Sequence, residues 1–325
     1  MPRMMVAALA GMMACATMAQ AQDAWPNRPL TMVVPFAAGG PVDVLGRIVG
    51  QFLGEALGRQ VVIDNVAGGG GMSGSLRVSQ GNPDGHLFVL GSSGTHAINQ
   101  TLYKRPLYNA ATDFAPVALI ADAPLVLVTR KDLPPTDLKS FIAYVKANHE
   151  RLQFASGGTG TTSHIGCVLL NQVMGVEVTH VPYRGGGPAL LDLIAGRVDY
   201  MCNIITTTVP AVEAKQVNPI ATLAIERSPV LPTLATAHEQ GLKDFEAFTW
   251  NAVFMPKATP PELVNKLNAA LVKVMDNAAL RERLATLGLY VVAPERRTPD
   301  YLGTFVAREI EKWAGPIKAS GATAD

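Results

Sequence analysis

Residues 30–56 read LTMVVPFAAGGPVDVLGRIVGQFLGEA, and this stretch decides the fold class. Its first seven residues are almost all apolar, which is typical of a strand buried on both faces of a parallel sheet. Two glycines follow, and then apolar residues recur at helical spacing until Gly58 ends the segment. A buried strand, a small-residue loop and an amphipathic helix in this order predict an α/β protein.

The same order recurs along the whole chain. Further strands are predicted at residues 61–65, 87–91, 152–155, 176–181 and 198–202. Strand–helix alternation of this kind predicts parallel sheets with helices on both faces. Apolar segments near residues 124 and 250 interrupt the alternation and predict two crossings between two units. We therefore expect two lobes, each with a mostly parallel sheet: residues 22–124 plus 249–325 form lobe 1, and residues 125–248 form lobe 2.

Residues 1–21 have the pattern of a secretory signal peptide. Arg3 supplies the positive start, residues 4–17 are nearly all apolar or small, and Ala19-Gln20-Ala21 is a small-x-small cleavage signal. No later run is apolar enough to predict a membrane span. We expect residues 1–21 to be removed and the protein to be secreted into the periplasm.

Charge excludes several classes of partner. The chain has 27 Lys and Arg against 26 Asp and Glu, a formal net charge of +1, and no basic stripe. This balance gives no reason to expect nucleic acid or an anionic membrane as a partner. No feature of the sequence indicates an oligomer, so we expect a monomer.

Four small-residue loops follow predicted strands, at residues 37–40, 92–95, 156–163 and 183–187. Ligands of open α/β sheets bind beyond the carboxyl ends of the strands. A helix that begins there offers unpaired N–H groups and partial positive charge, which suit a carboxylate. The loop from Ser156 to His164 is the richest, with three glycines and five hydroxyl side chains. Its alternative interpretation is an ordinary strand–helix turn.

Motifs for catalysis, metals and cofactors are missing or weak. His96 and His164 follow Ser/Thr-rich loops, but a lone histidine is more often structural than catalytic. Neither has metal-ligand spacing, and the chain lacks a nucleophile elbow and a Walker loop. The dinucleotide-binding pattern G-x-G-x-x-G fits Gly69, Gly71 and Gly74, but the acidic residue that usually ends the following strand is missing. We expect no catalytic residue, no metal and no cofactor; a secreted α/β hydrolase with a histidine base is the alternative.

Several motifs, in order, resemble the Bug family, the extracytoplasmic solute-binding proteins of tripartite tricarboxylate transporters. They include residues 25–30 (WPNRPL), residues 33–43 (VVPFAAGGPVD), residues 160–164 (GTTSH) and residues 180–185 (HVPYRG). The resemblance spans nearly all of the chain after the signal peptide. It implies a two-lobed periplasmic-binding-protein fold, the "Venus flytrap", that closes over a ligand and delivers it to the membrane subunits of a tripartite tricarboxylate transporter. A ligand-presenting sensor for a signalling system is the alternative within binding proteins.

The resemblance also implies a ligand, a di- or tricarboxylate or an aromatic acid, held mainly by backbone amides, hydroxyls and ordered water. Carried onto this sequence and combined with the loops above, it gives these candidate ligand-binding residues: Phe36, Ala38, Gly39, Gly40, Asp43, Ser92, Thr95, Ser156, Gly158, Gly160, Thr161, Ser163, His164, Tyr183 and Asn203.

Position 203 departs from the pattern of the family. Many family members have an acidic residue where this chain has Asn203, and the amide removes a like charge that would repel an anion.

Cys167 and Cys202 are the cysteines that remain after cleavage. In an oxidising compartment they are either a disulfide or two buried thiols, and resemblance to a subgroup with a cysteine pair there favours the disulfide.

Overall fold

A computed structural model describes residues 25–325, so the predicted signal peptide lies outside the described residues. The strands are β1 (Leu30–Val34), β2 (Val61–Asn65), β3 (Leu87–Ser92), β4 (Phe114–Arg130), β5 (Gln153–Ser156), β6 (Thr179–Pro182), β7 (Tyr200–Ile204), β8 (Val217–Thr222), β9 (Phe248–Pro256) and β10 (Tyr290–Val291). The α-helices of these residues are α1 (Pro41–Leu57), α2 (Met72–Ser79), α3 (Asn99–Leu102), α4 (Leu138–Asn148), α5 (Thr162–Met174), α6 (Gly186–Ile194), α7 (Ile205–Glu213), α8 (Pro261–Met275), α9 (Ala278–Ala285) and α10 (Pro299–Ala319).

The strands follow one another in the order β2-β1-β3-β9-β4-β7-β5-β6, and β8 and β10 also pair with β4. The outer strands are parallel, in the pairs β1–β2, β1–β3, β5–β6 and β5–β7. The two crossing strands, β4 and β9, run antiparallel to their neighbours. The predicted α/β class is confirmed, but the sheet as a whole is mixed rather than mostly parallel, because both crossings occur within strands.

β4 is one continuous strand of 17 residues that changes partner along its length. Residues up to Pro124 pair with β9, and residues from Leu125 onward pair with β7 and β8. We call β1–β3, β9, β10 and the first part of β4 the first sheet half. The second sheet half comprises β5–β8 and the last part of β4. The division into two lobes at these crossings remains our proposal.

Helices cover the sheet with apolar faces. α1 buries Leu45, Ile48 and Leu53, and it ends where Gly58 adopts a left-handed conformation, with φ of 64°. α4 begins with Asp137 in a capping box with Ser140. No helix among residues 25–325 is long and apolar enough to cross a membrane.

Helix α7 was not predicted from the sequence. Residues 204–209 are mostly β-branched, and Pro210 lies inside the helix, both of which disfavour helix locally. The helix forms because Ile205 and Val209 are buried in the core beside the sheet. Burial of these side chains outweighs the unfavourable local propensity.

Candidate functional site

A small cavity lies between the two sheet halves, where β1 and β3 of the first half and β5 and β7 of the second half end. Its lining residues are Phe36, Pro41, Val42, Ser92, Gly157, Thr161, Thr162, Ser163, Gly186, Asn203, Ile204 and Thr249. The cavity volume is about 30 Å³. A single water needs about 10–15 Å³ of such volume, so the cavity holds a group of two or three heavy atoms. That is the size of one carboxylate group.

Four helices begin at this cavity. The lining includes the first residues of α1, α5 and α6 and the residue that precedes α7. Within the described chain, the N-terminal turns of α1, α6 and α7 have no side-chain cap, so their N–H groups stay open to other acceptors. None of the lining residues in this part of the chain has an ionisable side chain. Helix dipoles therefore dominate the electrostatics of the cavity, and they favour an anion.

The loop from Phe36 to Gly40 brings α1 to the cavity. Phe36 lines the cavity, whereas Ala38 and Gly39 are exposed and Gly40 is buried against the backbone at Gly187. The buried carboxylate of Asp43 lies behind the loop and maintains its geometry by hydrogen bonding.

Asp43 is buried but does not line the cavity. Its carboxylate accepts hydrogen bonds from the Gly39 N–H, Arg47 Nε and Asn65 Nδ2, each at 2.9 Å. Burial opposes ionisation of Asp43, but the hydrogen bonds from Arg47, Gly39 and Asn65 outweigh it and lower the pKa of this carboxyl group. Asp43 is thus a charged residue that positions the loop from behind.

The loop from Ser156 to His164 brings α5 to the cavity. Thr161 caps α5 by accepting from the His164 N–H, and its hydroxyl donates to the Gly158 carbonyl at 2.7 Å. The Ser163 hydroxyl accepts from the Gly157 N–H at 3.0 Å. Thr161 and Ser163 line the cavity, while Ser156, Gly158, Gly160 and His164 support the loop around it.

Two residues of the loop at β3 take different places. Ser92 lines the cavity, but Thr95 does not: its hydroxyl donates to the Ser92 carbonyl at 3.1 Å and lies 2.8 Å from His96 Nδ1. Thr95 therefore holds the turn that positions Ser92.

Asn203 is fully buried and lines the cavity. Its Nδ2 group donates to Thr207 Oγ1 at 3.0 Å, and its Oδ1 atom has no hydrogen-bond partner within residues 25–325. A buried polar atom without a partner is costly, so this acceptor is available to a donor such as a ligand hydroxyl or a bound water. Asn203 is the one lining side chain with an unsatisfied polar atom among the described residues.

The two candidate histidines, His96 and His164, are buried away from the cavity. His164 stacks on His180, with ring centroids 4.2 Å apart, and its Nδ1 atom accepts from the Gly160 N–H. Burial lowers the pKa of His164 to about 3, with a further contribution from His180, and burial lowers the pKa of His96 to about 3. Both are neutral near pH 7, and neither lines the cavity.

A disulfide joins Cys167 of α5 to Cys202 of β7, with Cα atoms 5.4 Å apart. It lies behind the cavity, because Cys202 precedes Asn203 and Cys167 lies in the second turn of α5. The bridge fixes the start of α5 to the strand that carries Asn203.

Of the candidate residues, the structure brings Phe36, Ser92, Thr161, Ser163 and Asn203 together in the cavity. Tyr183 lines an adjacent opening instead, where its hydroxyl donates to Asp192 at 2.7 Å. Sequence reasoning missed seven lining residues: Pro41, Val42, Gly157, Thr162, Gly186, Ile204 and Thr249. Gly157, Thr162 and Gly186 lie inside loops that the sequence singled out, but Thr249 comes from the distant strand β9 and has no local signal.

Comparison with known proteins agrees with this geometry. The family model described as "Tripartite tricarboxylate transporter family receptor" matches residues 45–322. The structure is similar to that of the periplasmic binding protein BugD, with a TM-score of 0.89 and 35% identity, covering 93% of this chain and 100% of BugD.

Two ligand-bound structures are also similar. MatC from Rhodopseudomonas palustris, with bound malate, is 40% identical with a TM-score of 0.87, covering 90% of this chain and 100% of MatC. Rpa4515 of R. palustris, with adipate, is 33% identical with a TM-score of 0.88, covering 92% of this chain and 99% of Rpa4515. The resemblance to the Bug family predicted from the sequence is thus confirmed.

Proposed function

The chain belongs to the tripartite tricarboxylate transporter receptor family of solute-binding proteins, and we propose that it captures a small organic acid by one carboxylate group. In this proposal the acid is bound in the periplasm and delivered to the membrane subunits of a tripartite tricarboxylate transporter. Two similar receptors bind acids of this kind, malate in MatC and adipate in Rpa4515.

The observation that carries the proposal is an uncharged cavity at the N-termini of four helices. A carboxylate there accepts hydrogen bonds from backbone N–H groups and from the hydroxyl of Ser92. A neutral solute gains nothing from the helix dipoles, and a cation is repelled by them. The cavity therefore favours anions without any cationic side chain.

Binding without catalysis is the second part of the proposal. The cavity brings together hydroxyls, backbone amides and one amide side chain, none of which is a general base near pH 7. The buried histidines are neutral and engaged elsewhere. The similar proteins are binding proteins, which supports the same role here.

A thermal-shift screen tests the proposal. The purified protein without residues 1–21 is heated with malate, succinate, adipate and citrate, and with glucose and putrescine as neutral and cationic controls. A ligand of the native state stabilises it by RT ln(1 + [L]/Kd), about 2.7 kcal/mol at a hundredfold excess over Kd. We expect a shift with one or more acids, none with the controls, and no conversion of the bound acid by NMR. A shift with glucose or putrescine alone contradicts the proposal.

A further inference from the structure

A second, larger opening lies next to the cavity. Its lining residues are Phe36, Ala67, Gly68, Gly69, Gly70, Gly71, Tyr103, Gly157, Gly158, Thr159, Pro182, Tyr183 and Arg184. The two spaces share Phe36 and Gly157 as walls. The opening has a volume of about 410 Å³, against about 30 Å³ for the inner cavity. We take this opening as the space for the remaining atoms of a ligand whose carboxylate lies in the inner cavity.

Arg184 is the one lining residue of this opening, in the described part of the chain, with a side chain charged at neutral pH. Arg184 is exposed, and its guanidinium forms no ion pair within residues 25–325. Its backbone is nevertheless fixed across the site, because the Ala37 N–H donates to the Arg184 carbonyl at 3.0 Å. The backbone of Arg184 is thus held in place at the opening, while its guanidinium has no ion-pair partner among the described residues.

The acidic group that contacts Tyr183, the neighbour of Arg184, is already engaged. Asp192 accepts from the Tyr183 hydroxyl at 2.7 Å and from Arg197 Nη1 at 2.5 Å. These two bonds lower the pKa of Asp192. Burial of Tyr183 and, second, its bond to Asp192 raise the pKa of Tyr183 to about 12. Tyr183 therefore stays neutral, and Asp192 has its charge balanced by Arg197. Among residues 25–325, the lining of the opening has no acidic side chain.

From this arrangement we propose that Arg184 is a specificity-determining residue that binds the second carboxylate of a dicarboxylate. The inference rests on the proposed function, in which the first carboxylate occupies the inner cavity. A guanidinium offers two parallel N–H donors to a carboxylate, and the flexible side chain adapts to ligands of different length. Arg184 thus selects dicarboxylates over monocarboxylates of equal length.

Isothermal titration calorimetry with matched acids tests this assignment. Each dicarboxylate, succinate, glutarate and adipate, is compared with its own monoamide, which has the same length and one carboxylate. We expect the wild-type protein to bind at least one diacid about tenfold more tightly than its monoamide. Arg184→Gln should lose that preference by weakening diacid binding about tenfold, with monoamide affinity within about twofold of wild type.

Arg59→Gln is the matched control. Arg59 is exposed beyond the far end of α1, about 25 Å from the cavity at 1.5 Å per residue. This variant should keep the wild-type preference, and a chemical unfolding curve checks that both variants are folded. If Arg184→Gln keeps the preference for the diacid, or wild type shows none, the role of Arg184 is refuted while carboxylate capture stands. If wild type binds neither diacid nor monoamide, the proposed function itself fails.

Discussion

The hydroxyl oxygens of Ser93 and Thr162 lie 2.6 Å apart, in a hydrogen bond that joins the two sheet halves beside the cavity. Thr249 Oγ1 of β9 lies 3.0 Å from Ser93 Oγ and 3.3 Å from Thr162 Oγ1. All three side chains are buried. Ser93 and Thr249 belong to the first sheet half and Thr162 to the second, so this hydroxyl cluster links the two halves beside the cavity.

Ser93→Ala should weaken ligand binding by favouring separation of the halves. A buried neutral hydrogen bond contributes about 1 kcal/mol, which corresponds to roughly a fivefold change in affinity. We expect calorimetry to show a carboxylate Kd about fivefold higher than that of wild type. Ser320→Ala, at the end of α10, removes a hydroxyl that bonds to the Ile317 carbonyl and the Ala322 N–H and should leave Kd unchanged. Equal Kd values for wild type and Ser93→Ala would show that the cluster does not contribute to closure.

Asn203→Asp should change which acids bind. The variant places a carboxylate in a cavity that has no cation among its described lining residues, so it repels a carboxylate ligand. An acidic amino acid brings an ammonium group that can pair with the new charge. We therefore expect succinate affinity to fall at least tenfold and the ratio of aspartate to succinate affinity to rise at least tenfold.

Calorimetry with succinate and aspartate gives both numbers. Asn265→Asp is the matched control, because Asn265 is exposed on α8, which lies outside the cavity. It should bind both acids as wild type does. An unchanged ratio in Asn203→Asp would place the ligand away from this amide.

The fold was predictable because its signals are local. The strand at residues 30–34 and the helix after it are visible as an apolar run and a helical period, and the helix ends at Gly58 as predicted. Strand direction is not local. The antiparallel crossings of β4 and β9 depend on pairing between residues more than 100 positions apart, so the sequence favoured a mostly parallel sheet.

The site was predictable to a lesser extent, for the same reason. Glycine and hydroxyl residues after a strand predict a loop that can bind an anion, but not which side chain turns toward it. Asp43 faces away because Arg47 and Asn65 engage it from behind, and Thr249 faces the cavity because β9 begins where β4 crosses between the halves. These orientations depend on tertiary partners that no local pattern encodes.

Stability should fall steeply with acid because of the buried histidines. Burial lowers the pKa of His180 to about 4 from the usual 6.5, so between these values the unfolded chain binds more protons than the native one. The stabilising effect is complete above pH 6.5 and is lost as pH falls toward 4. At pH 4.5 the two pKa units below 6.5 correspond to about 3 kcal/mol.

His180→Gln tests this, because glutamine can still hydrogen-bond to Ser156, which lies 2.7 Å from His180 Nε2. We expect the free energy of unfolding of the variant to fall about 2–3 kcal/mol less between pH 7 and pH 4.5 than that of wild type, measured by urea titration. Identical pH slopes in the two proteins would mean that His180 is protonated in the native state. Carboxylate affinity should stay within twofold from pH 6.5 to 8, since no described lining residue of the cavity is ionisable.

Removal of the disulfide should lower stability far more than affinity. Cys167 and Cys202 are separated by 35 residues, and closing a loop of that length in the unfolded chain corresponds to about 4 kcal/mol of stabilisation in the chain-entropy model. The double variant Cys167→Ala, Cys202→Ala should therefore unfold at a clearly lower guanidinium concentration, with a loss of about 2–4 kcal/mol. α5 and β7 also pack through the buried side chains of Leu170 and Tyr200, so the cavity should keep its shape and Kd should change less than threefold. Wild-type protein treated with a reducing agent should match the variant. A variant with wild-type stability would show that the bridge is not formed in the native protein, and one with intact stability but lost binding would give the bridge a direct role in positioning Asn203.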